Sequence, residues 1–345
     1  MTISTKEPVE WTQFKELAGN AAQKLNATLL FFYAGSELQF QFRGAKSLSF
    51  EREHARLANR AFMINTDDVE ELTERLAGLS DSAKSKPLYL FLHTLGGSIK
   101  HASSLIELIT DTFKNDIYVV VPCTAKSAGT YVAVCCGNKI IMKDKSLSRV
   151  DPRLPLAKSG HISARLVKEV CNEIINEHEV SDLLQRWFKK MCDEIMILKK
   201  DCPCFGDSGC TSEGALCALS QGELKKRGQK LSDDIDFQKN NMREKISMLA
   251  KHQPGSASKD SPVVLLCNPV HSFDHEATFD LLKCKRHLGV NVVSGIEDNP
   301  ELYAIIESVH DHLLLTMATL DCVRVIYTPN SAMKQPPRML EVTTS

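Results

Sequence analysis

The sequence predicts an α/β fold with a parallel β-sheet, and three observations along residues 88–142 support this prediction. Short apolar runs alternate with segments of helical period, as expected when crossover helices connect parallel strands. The run at 88–92 lies between a proline and the pair Gly96-Gly97, which is typical of a buried strand that ends in a tight turn. The run at 117–121 leads into a polar turn that contains Ser127.

Several elements are predicted before this central region. A helix over residues 11–25 precedes an apolar strand that ends at Gly35, and the alternation in SELQFQF predicts a second, exposed strand. A charged segment over 51–61 is expected to be helical. The residues Thr66-Asp67-Asp68 are expected to open a capped helix over 69–79, because its apolar positions follow helical spacing.

The glycine turn and the serine turn are the parts of the central region that carry chemistry. Two adjacent glycines allow main-chain angles that other residues avoid, so their N–H groups can face a reacting oxygen. Ser127 precedes a predicted apolar helix over 128–136, and the N-terminus of a helix offers oriented N–H donors to a nucleophilic hydroxyl. We therefore expect Ser127 and the two glycines to converge on one small pocket.

A second series of elements is predicted after residue 151. The segment PLAKSGH is expected to be a loop, followed by helical regions and the linker QPGSASKDSP. A second set of sheet elements closes the chain before a mobile tail, KQPPRMLEVTTS. The predicted elements in this half are helices over 163–199, 231–252, 279–287 and 300–320, and strands in PVVLLCNP, VNVVSG and VRVIYTPN.

Composition excludes several classes of function. The chain has 345 residues, enough for one large or two modest domains, and its net charge of −1 gives no sign of nucleic-acid binding. No apolar stretch approaches the about 18 residues of a membrane span, and the first residues do not resemble a secretory leader. Many of the 12 cysteines lie in apolar runs, as in a reducing compartment. We therefore expect a cytoplasmic protein without a membrane span.

One cluster of cysteines is a candidate for metal binding. Four thiols lie in the segment DCPCFGDSGCTSEGALC, at Cys202, Cys204, Cys210 and Cys217. Their spacing differs from the paired CxxC pattern of zinc ribbons and fingers, so a Gly- and Ser-rich loop is the favoured interpretation and zinc is the alternative. No metal and no cofactor are expected.

Three motifs, HTLGG, AKSAGT and SLSRVDPRL, occur in an order and at separations that resemble the Clp-protease/crotonase superfamily. The closest resemblance is to its serine dehydrogenase (dehydratase) proteinase branch, related to signal peptide peptidase A. The resemblance implies a repeated β-β-α superhelix with a parallel sheet and helical additions. It divides the chain into an N-terminal accessory segment (1–60), a Clp-protease/crotonase-like domain (61–330) with a Cys-rich helical insert at about 160–260, and the tail (331–345).

The resemblance also implies roles for individual residues. Ser127 would be the nucleophile, and the N–H groups of Gly96 or Gly97 and of Ala128 would form the oxyanion hole. The general base has three candidates. Lys168 lies on a predicted helix after the serine motif, as in related peptidases that use a lysine; Asp151 lies near the position of the Clp-protease histidine; and His275 lies in a segment that resembles one late in the proteinase branch.

The function implied is that of a serine protease that cleaves peptide bonds through a Ser127 acyl-enzyme, with either a Ser-Lys dyad or a Ser-His-Asp variant. A peptide or protein substrate and a homo-oligomer are expected, and nucleic acid is not. Two alternatives share the fold. One is an inactive or partner-activated scaffold or sensor, and the other is a crotonase-like enzyme that acts on an acyl thioester.

Overall fold

A computed structural model describes the elements that surround both predicted turns. The chain forms two compact units, Met1–Val150 with Ile246–Ser345, and Asp151–Lys245. The described residues are 7–34, 63–150, 153–155, 161–176, 181, 225–226, 228–233, 235–237, 240, 244, 278–288, 293–320, 322 and 324–331.

The described elements of the first unit alternate between helices and strands over most of its length. In chain order they are α1 (Val9–Leu25), β1 (Thr28–Ala34), α2 (Thr66–Ala77), α3 (Asp81–Lys84), β2 (Leu88–Thr94), α4 (Ile99–Thr112), β3 (Ile117–Val121), α5 (Ala128–Cys136), β4 (Lys139–Met142) and β5 (Leu147–Ser148). After the second unit come β8 (Thr278–Phe279), α7 (Leu281–Leu288), β9 (Val293–Gly295), a 3-10 turn (Ile296–Asp298), α8 (Pro300–Thr319) and β10 (Arg324–Tyr327).

Six of these strands form one sheet in the order β10-β1-β2-β3-β4-β9. All neighbouring strands are parallel except β10, which runs antiparallel to β1. Helices connect the parallel strands, as crossover connections require. The predicted α/β fold with a mostly parallel sheet is confirmed.

A second, short row of pairings lies just beyond the carboxyl ends of β2, β3 and β4. Thr94 pairs with Ala125, Ala125 pairs with Leu147, and Leu147 in β5 pairs with Phe279 in β8. The loop after β3 is therefore held between the ends of its two neighbours. This row fixes the backbone immediately before Ser127.

The two faces of the sheet are covered by different helices. Helices α1 and α8 pack in one aromatic cluster with Phe31 of β1, and the ring centroids of Phe14 and Phe31 lie 5.2 Å apart. On the other face, all nine residues of α5 are buried beside α4, β2 and β3. Burial of a large apolar side chain contributes about 1.5–3 kcal/mol, so α5 is held firmly in place. Its first turn carries the predicted nucleophile.

Local sequence predicted the central elements well, and the strands at 117–121 and 139–142 and the helix at 128–136 are confirmed. Helix α2 begins before the predicted position, at Thr66, because Asn65 is its N-cap. The Asn65 side chain accepts from the Asp67 N–H, while the Asp68 carboxylate accepts from the Asn65 N–H at 2.8 Å. This capping box satisfies two N–H groups that would otherwise lack partners.

The N-terminal segment contributes directly to the sheet. Strand β1 is buried along its whole length and pairs with β2 on one side and β10 on the other. It is an interior strand, with β10 rather than β1 at the edge. The boundary predicted at residue 60 stays a prediction, but residues 28–34 are part of the main sheet.

The second unit contains a hairpin and a helix among its described residues. Strand β6 (Arg153–Pro155) pairs antiparallel with β7 (His161–Ser163), and α6 (Ala164–Asn176) follows directly. The predicted loop PLAKSGH therefore has its first and last residues paired with each other. Residues 228–233 and 235–237 are also helical.

Several predictions fall outside the described residues. These are the strand in SELQFQF, the helix over 51–61, Asp151, the four cysteines of the segment 201–217, the linker QPGSASKDSP, the strand in PVVLLCNP, His275 and the tail from residue 334. In the part of the chain that the structure describes, no helix combines the length and apolar character needed to cross a membrane.

Candidate active site

The diglycine turn after β2 has a backbone that only glycine adopts easily. Gly96 and Gly97 have φ angles of +112° and +145°, a region that side-chain-bearing residues avoid. Contacts impose the same requirement. A Cβ on Gly97 would lie 2.3 Å from the backbone nitrogen of Ile64, far inside van der Waals contact. The turn is therefore packed against the segment that contains Ile64, and any side chain would separate them.

Ser127 occupies a strained corner between β3 and α5. Its φ of +49° and ψ of −116° lie outside the regions that non-glycine residues normally populate. Such a conformation costs about 1–3 kcal/mol and is found most often at functional sites. The residue is half-buried, and it is the N-cap of α5 without a side-chain capping bond. Its hydroxyl is therefore not used for capping the helix.

A short hydrogen-bond chain holds this corner in its strained shape. The Ser127 N–H donates to Ser148 Oγ at 3.0 Å, and the Ser148 N–H donates to Thr130 Oγ1 at 3.0 Å. The Thr130 hydroxyl in turn donates to the Ala125 carbonyl at 2.6 Å. These bonds tie β5 to both sides of Ser127 and offset part of the cost of its conformation.

The structure brings the glycine turn and the serine corner together. A Cβ built on Gly96 would lie 2.8 Å from Ser127 Cβ and 3.3 Å from the Ala128 nitrogen. Only the missing side chain of Gly96 allows this approach. Gly96 itself is buried, whereas Gly97 and Ser127 are half-buried. The glycine turn and the serine corner are therefore in direct contact at Gly96.

Two N–H groups of this corner, those of Ala128 and Gly97, point away from the hydrogen bonds that hold it. The Ser127 carbonyl accepts from the Tyr131 N–H inside the helix, and the Gly96 carbonyl accepts from the Ile64 N–H at 2.8 Å. The N–H of a trans peptide points opposite to its carbonyl. The N–H groups of Ala128 and Gly97 are thus directed away from these partners, and neither donates to any residue that the structure describes.

The Gly96 N–H has a different role. It donates to Thr94 Oγ1 at 3.1 Å, which fixes the entry into the turn. Of the two glycines predicted as alternatives for an oxyanion hole, Gly97 is therefore the one whose N–H is available in this geometry. Sequence reasoning did not separate them, because the spacing of HTLGG does not reveal which amide the threonine binds.

Of the three candidate general bases, the structure describes only Lys168. Lys168 lies on α6 in the second unit, half-buried, where its Nζ forms an ion pair with Asp236. Asp151 and His275 are outside the described residues. The identity of the general base therefore stays a prediction.

His93, the first residue of HTLGG, is a buried polar residue in the interior of the protein. Its ring stacks on Tyr33 with centroids 5.4 Å apart, and the Tyr33 hydroxyl is 2.7 Å from His310 Nδ1. Burial, with smaller contributions from His93 and Lys143, lowers the pKa of His310 to about 3. Both histidines lie on the face of the sheet covered by α8, where His310 remains neutral near pH 7.

Three contributors to the site were not identified from sequence. Ser148 lies within the SLSRVDPRL motif but has no feature that marks its hydroxyl as the acceptor for Ser127. Thr94 likewise lies within HTLGG, but nothing in the motif marks its hydroxyl as the acceptor for the Gly96 N–H. Ile64 pairs with the glycine turn across more than 30 residues of chain, a contact that no local pattern predicts.

Fold and site together define an α/β protein with a strained serine at a strand-to-helix corner, facing a diglycine turn. Residues 56–146 match the Clp protease family model, a region of about a quarter of the chain that includes β2 to β4 and both turns. This match supports the Clp-protease/crotonase superfamily. An uncharacterized protein of Methanocaldococcus jannaschii is 33% identical over 87 residues, which are 25% of this chain and 30% of that protein. The similarity thus spans less than a third of that relative's length.

Proposed function

We propose that this protein is a serine peptidase in which Ser127 is the nucleophile. The observation that supports this most strongly is the strained backbone of Ser127 in contact range of Gly96, at the start of a buried helix. The match to the Clp protease model over 56–146 adds a family in which a peptidase is expected. A serine with no chemical task would be expected to relax to an ordinary conformation.

The reaction follows from the groups around this corner. Ser127 Oγ attacks the acyl carbon of the substrate while a base removes the hydroxyl proton, and the carbonyl oxygen becomes an oxyanion. The N–H groups of Gly97 and Ala128 donate to that oxyanion. The protonated base then gives its proton to the leaving amine as the C–N bond breaks, and water hydrolyses the resulting ester with the same base. Each oxyanion donor contributes about 3–4 kcal/mol of transition-state stabilisation.

A peptide is favoured over a small ester by the geometry of the turn. The Ile64 N–H donates to the Gly96 carbonyl, and the Ile64 carbonyl accepts from the Ser98 N–H. Successive peptide groups of an extended chain point to opposite sides, so the N–H and carbonyl of Gly97 face away from Ile64. An extended substrate adds main-chain hydrogen bonds on that side.

Lys168 is the base that we propose to test first. A general base needs a free lone pair to accept the serine proton, and the Lys168 amine is engaged in an ion pair with Asp236. The pair must therefore open, or another residue must accept the proton. Asp151 and His275 are the other candidates.

Labelling with a fluorophosphonate probe tests the proposal. Wild-type protein should react covalently, and Ser127→Ala should not. The half-buried residue Ser104 on α4 offers a matched control, since Ser104→Ala should react at the wild-type rate. Lys168→Ala should abolish labelling if Lys168 is the base. Wild-type protein that binds peptide without reacting would instead indicate a scaffold, and turnover of an acyl thioester by Ser127→Ala would indicate a crotonase-like enzyme.

A homo-oligomer is the assembly that the resemblance implies, and we retain it as a proposal. Analytical ultracentrifugation over a range of protein concentrations measures it directly. A monomeric mass at the concentration at which the enzyme works would contradict the proposal.

A further inference from the structure

A buried ion pair lies next to the diglycine turn but outside the residues proposed for catalysis. Arg324 on β10 and Asp68 on α2 are 3% and 0% exposed, and Arg324 Nε is 3.1 Å from Asp68 Oδ1. Burying two charges is costly and often adds no net stability compared with apolar residues of similar volume. The position of this pair therefore calls for an explanation other than stability.

Both members of the pair hold the same short segment of backbone. The Arg324 guanidinium donates to the Met63 carbonyl at 3.0 Å, and the Asp68 carboxylate accepts from the Asn65 N–H at 2.8 Å. The residue between these two contacts is Ile64. The ion pair thus fixes the main chain on each side of Ile64, with one contact to a carbonyl and one to an N–H.

Ile64 in turn determines the orientation of the glycine turn. Its N–H donates to the Gly96 carbonyl at 2.8 Å, and its carbonyl accepts from the Ser98 N–H at 3.0 Å. The Gly96 carbonyl and the Gly97 N–H belong to one planar peptide group and point in opposite directions. A hydrogen bond to that carbonyl therefore sets the direction of the Gly97 N–H, since the two cannot rotate independently.

We propose that Asp68 and Arg324 are positioning residues for the Gly97 N–H, acting through Met63–Asn65 and the Ile64 N–H. The inference rests on the proposed function, because Gly97 matters as an oxyanion donor only if Ser127 is a nucleophile. Arg324 lies 197 positions after Ser127, on the edge strand of the sheet. The oxyanion hole would then depend on a strand far from it in sequence.

Two features of the pair agree with this role. Gly97 has no room for a side chain toward Ile64, so movement of Ile64 transfers directly to the turn. Burial raises the pKa of the Asp68 carboxyl to about 6, against the lowering effects of Arg324 and of the Asn65 N–H. The contacts with Arg324 and with the Asn65 N–H are therefore the ones that favour the charged carboxylate of Asp68 at neutral pH.

The experiment compares Asp68→Asn with the double variant Asp68→Asn/Arg324→Gln, in the full-length protein labelled with ¹⁵N-glycine. Asp68→Asn keeps an acceptor for the Asn65 N–H but removes the charge that holds Arg324. The double variant removes both charges, which avoids leaving an unpaired one in the interior. Tyr33→Phe is the matched control, because it also loses a buried hydrogen bond, to His310, and that bond involves none of the residues Met63–Asn65.

The expected result is a displaced Gly97 amide resonance in either folded variant, with the Gly19 resonance of α1 unchanged. The maximal rate of fluorophosphonate labelling should fall about 10- to 100-fold while the apparent affinity for the probe changes less than about twofold. Tyr33→Phe should leave both quantities as in the wild type.

Three results would overturn the proposal. The first is an unchanged Gly97 resonance in a folded variant, the second is an unchanged labelling rate there, and the third is failure of both variants to fold, which would assign the pair to stability. If wild-type protein does not react with the probe at all, the proposed peptidase function fails. In that case the Gly97 resonance alone still decides whether the ion pair positions the turn.

Discussion

Replacing Gly96 by alanine tests the contact between the glycine turn and the serine corner. The added Cβ would lie 2.8 Å from Ser127 Cβ and 2.9 Å from the Lys126 carbonyl oxygen, at a φ of +112°. Carbon atoms in contact prefer a separation of about 3.5–4.0 Å. The turn and the corner must therefore separate by about 1 Å, or the backbone must change conformation. Backbone strain and overpacking together should lower the free energy of unfolding by about 2–4 kcal/mol.

The effect on reactivity should be larger than the effect on stability. A displacement of about 1 Å between a nucleophile and its oxyanion donors costs about 100-fold in rate, which fluorophosphonate labelling of folded protein measures directly. Gly19→Ala is the control, because no atom lies within 4 Å of the added Cβ on helix α1. It should raise stability by about 0.5–1 kcal/mol and leave labelling unchanged. A Gly96→Ala protein that labels within about twofold of the wild-type rate would refute the proposed geometry.

Two further predictions concern the surroundings of the site. Ser148→Ala removes the acceptor of the Ser127 N–H, so the free energy of unfolding in denaturant titration should fall by about 1 kcal/mol. The fluorophosphonate probe should also react more slowly. An unchanged labelling rate would show that Ser148 does not influence the reactivity of Ser127. The lowered pKa of His310 means that the unfolded chain binds a proton more readily between about pH 3 and 6.5. Stability from this residue is thus complete above pH 6.5 and decreases in acid, by about 2 kcal/mol between pH 7 and pH 5. His310→Gln should lose this part of the pH dependence in denaturant titrations, and an unchanged acid limb would contradict the assignment.

The central elements were predictable because each one is encoded locally. The apolar runs at 117–121 and 139–142 and the small-residue helix at 128–136 carry their own signals, and the crossover rule then places the strands side by side. The two turns follow from the same pattern, since glycine pairs and a serine before a helix are local features. The adjacency of β2 and β3 then brings the two turns to the same end of the sheet.

Long-range contacts were not predictable in the same way. The pairing of β1 with β10 joins strands almost 300 residues apart, and the N-terminal segment therefore seemed separable from the domain. The ion pair between Asp68 and Arg324 is also remote in sequence. It could not be predicted, because a charged residue in an apolar strand such as VRVIY gives no indication of its partner. The choice of Asn65 as N-cap depends on an Asn-x-x-Asp capping box, a weaker signal than the usual Ser or Thr with Glu.

The most direct test of the proposed nucleophile is tandem mass spectrometry of the protein after reaction with a fluorophosphonate. We predict one phosphonyl group per chain, attached to the Ser127 side chain, and no adduct after denaturation of the protein before exposure to the probe. A folded protein that carries no adduct, or carries it on serines other than Ser127, would contradict the assignment of this corner as an active site.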